Sequence, residues 1–162
     1  MADLLLFHHA QGLTADGVGY GEQVGFDTII ERGRLAADSL PNEIVYAGFS
    51  LGVLPAQMLA QTRPGTKGAL LFHSCVPTSE FGRPWPQSVP LQIHMMDADE
   101  WALPPNEDLD VARQLDETVE SAELFEYPGD RHLFADNSLP DYDEGAAKLL
   151  MQRVLSFLDN IE

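Results

Sequence analysis

Short, continuous apolar runs alternate along the chain with segments whose apolar residues recur at helical spacing. The runs are Leu4–His9, Ile44–Gly48, Gly68–His73, Pro90–Met95 and Glu123–Tyr127. Their length and apolar character predict strands of a buried, parallel sheet. Between them lie predicted helices. Phe26–Asp38 carries Ile29, Ile30, Gly33, Ala36 and Ala37 on one face, and Leu51–Gln61 is stopped by Arg63-Pro64-Gly65. Asp108–Val119 also has helical spacing, and Tyr142–Leu158 repeats it most regularly, through Ala146, Leu149, Leu150, Val154, Phe157 and Leu158. Residues 15 to 25, with Gly17, Gly19, Gly21 and Gly25, read as a loop. Pro77 to Pro90, with Pro84 and Pro86 inside it, reads as an irregular excursion over the strand ends.

Strands alternating with helices predict an α/β fold, a mostly parallel sheet of about five strands flanked by helices, with right-handed crossovers. A length of 162 residues suits one domain spanning 1–162. Sites in such sheets form beyond the carboxyl ends of the strands. His8, His9, Ser50, His73, His94, Asp97, Asp99 and His132 all fall at those ends in this reading.

Composition narrows the partners. Asp and Glu outnumber Lys and Arg 26 to 9, a formal net charge of −17. Such a surface repels nucleic acid and anionic membranes, so neither is an expected partner. Cys75 is the single cysteine, which excludes an intrachain disulfide. The start, Met1-Ala2-Asp3-Leu4, has no basic segment, and its apolar run is too short for a leader or a membrane span. The expected location is the cytoplasm.

The candidate chemistry centres on Val45-Tyr46-Ala47-Gly48-Phe49-Ser50-Leu51-Gly52-Val53. An apolar strand running into Gly-x-Ser-x-Gly and then a helix is the pattern of a nucleophile elbow. A serine on a tight strand-to-helix turn has a strained backbone, and its neighbours must lack bulk; Gly48 and Gly52 supply the room. The Leu51 N–H then sits at the positive end of the following helix, where it can face a developing oxyanion. Serine is a weak nucleophile without a base, and the base needs a carboxylate to fix its tautomer. His132, after the fifth strand, is the candidate base. Asp99 is the preferred acid and Asp97 the second choice, both after the fourth strand.

These residues resemble the dienelactone hydrolase family of the α/β-hydrolase superfamily over most of the chain. The elbow Gly-Phe-Ser-Leu-Gly, the segment His94-Met95-Met96-Asp97-Ala98-Asp99 and the segment Tyr127-Pro128-Gly129-Asp130-Arg131-His132-Leu133-Phe134 carry the likeness. The order Ser50, Asp99, His132 is that of the superfamily. The resemblance implies an acyl-enzyme mechanism with no cofactor and no metal. It also implies a second oxyanion donor, the Ala10 N–H, in His9-Ala10-Gln11-Gly12.

The chain departs from the family in several places. Ser50 stands where typical members have cysteine, His9 where they have glutamate, and Asp136 where many have a carboxylate-binding arginine. A neutral small-molecule ester or lactone therefore fits better than an anionic one. About one βα unit of the family is missing after Gly12. That loss leaves the first strand as an exposed edge and implies a homodimer that covers it. His9, Phe81, Trp85 and Trp101 are candidate walls of a substrate pocket, and packing of the aromatics onto the body is the structural alternative. Other readings are a Cys75 nucleophile near His73, a metal held by strand-end histidines (though no metal-ligand spacing is present), and a catalytically idle binding module.

Overall fold

Five parallel strands lie side by side in the order β1-β2-β3-β4-β5: Leu4–Phe7, Val45–Phe49, Gly68–Phe72, Leu91–Met96 and Ala122–Tyr127. The structure is a computed structural model and describes residues 3–9 and 24–161. The helices are α1 (Phe26–Asp38), α2 (Val53–Thr62), α3 (Asp108–Thr118) and α4 (Glu144–Asn160). None of the described helices is long and apolar enough to cross a membrane. Every predicted strand and helix is present, with ends moved by a residue or two, and the first strand stops at Phe7, so His8 and His9 belong to the loop beyond it.

The burial of each strand follows its place in the sheet. β3 and β4 are buried at every position, as expected for strands covered on both faces. β1 and β5, at the edges of the described sheet, are only partly buried. On one face Tyr46, Leu71, Leu91, Ile93 and Met95 pack against Ala37 of α1, Ala56, Leu59 and Ala60 of α2, and Leu109, Ala112 and Leu115 of α3. On the other face Val45, Ala47, Leu70, Phe72, Met96 and Tyr127 meet Leu150, Val154 and Phe157 of α4. Asp143 caps α4 by accepting the Ala146 N–H at 3.0 Å. Register places Leu4 opposite Val45 and Leu6 opposite Ala47, on the α4 face. There they are 42% and 46% exposed.

A stack of rings crosses the α4 face at one level. Phe49 pairs with Phe72, Phe72 with His94 and His94 with Phe125 in the strand register. Their ring centroids lie 4.4, 5.5 and 5.2 Å apart, near parallel, and the Arg153 guanidinium sits 4.1 Å over Phe125. Cross-strand aromatic pairs stabilise a sheet directly, and the cation closes the open end of the stack.

Two buried glutamines hold the Pro77–Pro90 excursion. Gln57 of α2 accepts the Val76 N–H and donates to the Val76 carbonyl, and Gln61 donates to the carbonyls of Thr78 and Arg83. These bonds fasten the loop along α2. Trp85 is 3% exposed within the α1–α3 core, and its indole N–H donates to Val89 O at 2.9 Å. Trp85 is therefore core, not the wall of a substrate pocket. Phe81 lies on the short 3₁₀ turn Thr78–Phe81 of the same fastened loop and is half-buried.

The contact of α1 with α2 depends on one glycine. A Cβ on Gly33 would collide with the ring of Pro55. Gly33→Ala is accordingly expected to destabilise the protein by about 1–3 kcal/mol through overpacking, read as a lower urea midpoint with an unchanged slope.

Candidate active site

β2 ends extended at Phe49 (φ −103°, ψ 123°), and Ser50 turns into the left-handed region at φ 48°. A non-glycine residue held there stores about 1–3 kcal/mol of strain. Neither flanking glycine has positive φ; each is needed for space. A Cβ on Gly48 would collide with the Gly52 carbonyl, and one on Gly52 with the Phe7 carbonyl, with His8 O at 2.8 Å. The turn is thus pressed between its own helix start and the loop leaving β1. Leu51 follows in the first 3₁₀ turn, Ser50–Gly52, that leads into α2.

The strand ends bring three predicted side chains into one hydrogen-bonded chain. Ser50 Oγ lies 2.7 Å from His132 Nε2, and His132 Nδ1 lies 2.7 Å from Asp99 Oδ2. A carboxylate only accepts, so Nδ1–H donates to Asp99 and Nε2 is left to accept the Ser50 hydroxyl. Asp99 is 1% exposed and its other oxygen accepts the Trp101 N–H at 2.9 Å. Asp97 does something else. Its carboxylate is exposed and accepts the Gly129 N–H at 3.0 Å, tying the loop after β4 to the loop after β5.

The other predicted residues divide. The Trp101 ring is 57% exposed and 5.9 Å from the His132 ring, at the mouth of the site. His9 is 2% exposed and its Nε2 lies 2.7 Å from Asp136 Oδ2, so it is a buried, bonded side chain and not an open pocket wall. Ala10 lies outside the described residues. Cys75 is fully buried, and burial pushes its thiol well above the ordinary range, which removes it as a nucleophile.

The sequence assigns no role to Asp108 or Ser74, and it marks His73 only as one of the strand-end histidines. Asp108, at the start of α3, accepts Ser74 Oγ–H at 2.6 Å and the Cys75 N–H at 3.3 Å. Burial raises its carboxyl pKa in spite of those bonds. His73 has φ 69°, both ring nitrogens are buried without a partner among the described residues, and its ring meets Phe134 edge-on at 4.7 Å. Burial pushes its pKa well below the ordinary imidazole value, and the neighbouring imidazoles of His132, His94 and His9 act in the same direction. Spacing gave no signal for these contacts because they join segments far apart in sequence.

His8, His9 and Asp136 bring one nitrogen each and a carboxylate oxygen within 4.8 Å of one another. Two of the four ring nitrogens are engaged, and His9 Nδ1 is buried without a partner among the described residues. His8 Nδ1 sits 3.1 Å from the His9 carbonyl and His9 Nε2 faces Asp136. Burial opposes ionisation of Asp136, but the Ser138 hydroxyl and amide and His9 bring its carboxyl down to about 2.

A serine on a strand-to-helix turn, joined through a histidine after the last strand to an aspartate after the fourth, on a five-stranded parallel sheet with flanking helices, is the arrangement of the α/β-hydrolase fold. Residues 25–162 match the family model for dienelactone hydrolases. The chain belongs to the dienelactone hydrolase family. Among solved structures it is similar to a dienelactone hydrolase-like promiscuous phosphotriesterase from metagenomic libraries, at 13% identity and TM-score 0.76 over 99% of this chain and 87% of that one. It is also similar to a Klebsiella pneumoniae protein of the dienelactone hydrolase type, at 20% identity and TM-score 0.62 over 86% of this chain and 63% of that one. Among curated proteins, a pimeloyl-[acyl-carrier protein] methyl ester esterase of Cronobacter sakazakii is 34% identical over 70 residues, 42% of this chain and 27% of that esterase. The chain therefore spans less than two thirds of either the Klebsiella protein or the curated esterase.

Buried histidines give the fold a definite response to acid. Burial, with the Arg153 charge, lowers His94 from 6.5 to about 3. The unfolded chain then binds the proton that the folded chain refuses, so stability falls as pH drops from about 6.5 toward about 3 and is fully present above that window. His73 acts in the same sense. The unfolding free energy from urea titrations between pH 7 and 4.5 should fall by up to about 1.4 kcal/mol per pH unit for each such histidine, and His94→Phe should flatten the dependence.

Proposed function

We propose that the chain is a serine hydrolase that cleaves a small ester or lactone through an acyl-enzyme intermediate. The observation that carries this reading is the unbroken hydrogen-bonded chain from Ser50 Oγ through His132 to a buried Asp99. In the proposed reaction His132 Nε2 takes the Ser50 proton as Oγ attacks the ester carbonyl. Asp99 holds Nδ1–H and stabilises the imidazolium that forms. The Leu51 N–H and the Ala10 N–H take the oxyanion. His132 returns the proton to the departing alcohol or, for a lactone, to the ring oxygen. It then draws a proton from the water that releases the acid.

The substrate proposed is neutral. Asp108 and Asp136 bring carboxylates close to the site, and the formal net charge of −17 disfavours an anionic ligand. Trp101 offers an apolar wall for the acyl or alcohol group. We propose a homodimer as well, because Leu4 and Leu6 of the edge strand are substantially exposed; a monomer in sedimentation at micromolar concentration would count against it.

A serine-directed fluorophosphonate tests the main reading. Peptide mapping should find one adduct, on Ser50. His132→Ala should slow its formation by about 10²- to 10⁴-fold, the usual contribution of a general base. A folded protein that takes no adduct would instead favour an idle, hydrolase-like binding module.

A further inference from the structure

We propose that His9 and Asp136 form a positioning latch, which holds the loop leaving β1 against the segment that follows His132. The latch rests on the hydrolase reading of the site. His9 Nε2 donates to Asp136 Oδ2 at 2.7 Å across 127 positions of sequence, and the His9 side chain is 3% exposed. The bond is charge-assisted and shielded from water, so it is stronger than an exposed pair.

Both ends of the latch are fixed. Asp136 Oδ1 accepts the Ser138 N–H at 2.8 Å and the Ser138 hydroxyl at 2.6 Å, which leaves Oδ2 facing His9. The Asp136 amide donates to the Leu133 carbonyl at 3.0 Å, and Phe134 between them is fully buried. Asp136 therefore belongs to the same rigid turn as His132. At the other end, the carbonyls of Phe7 and His8 are so close to Gly52 that no side chain fits between them. The His8 ring packs 4.2 Å from the His9 ring, and His8 Nδ1–H donates to the His9 carbonyl at 3.1 Å. The loop thus touches the elbow on one side and is tied to the histidine segment on the other.

This arrangement matters because attack on a carbonyl needs its donors placed to within a fraction of an ångström. The amide one residue beyond His9 is the proposed second oxyanion donor. A latch at His9 fixes the last described residue before that amide relative to both Ser50 and His132. His9 and Asp136 touch no reacting atom in this account; they act through the loop.

The readouts are the second-order rate of fluorophosphonate labelling at Ser50, and kcat and KM for p-nitrophenyl acetate, with urea midpoints to establish that each variant is folded. His9→Ala and Asp136→Ala are each expected to lower the labelling rate and kcat by about 10-fold or more, below the 10²- to 10³-fold of losing a donor outright, with KM within about 3-fold. The double variant should lose no more than either single one, since both break the same bond. His9→Gln, which keeps a donor near the Nε2 position, should recover to within about 3-fold of the parent. Unchanged kcat and labelling in folded variants would overturn the latch. So would additive losses, a loss confined to KM, or no recovery in His9→Gln. Failure of the hydrolase reading is separate: it appears as absence of a Ser50 adduct in the parent protein itself.

Discussion

The structure turns on a backbone contact at Ser50. The end of β2 folds back so tightly that Gly48 lies against the Gly52 carbonyl, while Gly52 lies against the carbonyls of Phe7 and His8. Three chain segments therefore meet with no side chain between them: strand end, helix start and the loop from β1. The elbow cannot shift without moving β1 or α2. That rigidity lets Ser50 remain at φ 48°, because strain persists only where the surroundings over-determine it. It also keeps the serine hydroxyl at a fixed height above the strand ends, where His132 meets it.

Below this contact, the α4 face carries a continuous line of rings from Phe49 to Arg153. The line joins β2, β3, β4 and β5 at the level where the strands end. His94 is the polar member, satisfied by Tyr127 Oη at 2.9 Å and Gln92 Oε1 at 3.3 Å. Packing of this kind is barely compressible and holds the loops after β2, β4 and β5 in fixed relation. Those three loops supply Ser50, Asp99 and His132. The same burial that stiffens the platform keeps His94 and His73 neutral, so the site contains few mobile positive charges despite its histidines.

The sequence made the platform legible because buried parallel strands leave short apolar runs, and β3 and β4 are the clearest of them. It also marked Ser50 and His132 through their motifs. Sequence alone preferred Asp99 to Asp97 without separating their surroundings. Both carboxylates sit near the end of β4, and only their direction separates a buried partner of His132 from a tie to Gly129. Aromatic content misled at Trp85. A proline-rich loop looks the same in sequence whether it arches over a site or is fastened along a helix, and the fastening groups, Gln57 and Gln61, lie on the buried side of α2. The pairing of His9 with Asp136 had no local signature, because it joins the first loop to the last.

The geometry bears on whether the site is used. A binding module has no need for a serine in a strained conformation and a buried aspartate aimed at a histidine. The strain at Ser50 and the burial of the Asp99 carboxylate each cost stability, and Gly in place of Ser50 or a hydrophobic residue in place of Asp99 would relieve part of that cost. The marginal stability of a domain this size gives reason to shed such costs where nothing requires them. The strain at Ser50 and the desolvation of Asp99 fall on the atoms that acyl transfer would use, while the bulk of the core has ordinary apolar packing. That concentration of cost at one serine, one imidazole and one carboxylate favours a site held ready for chemistry over one retained as a surface.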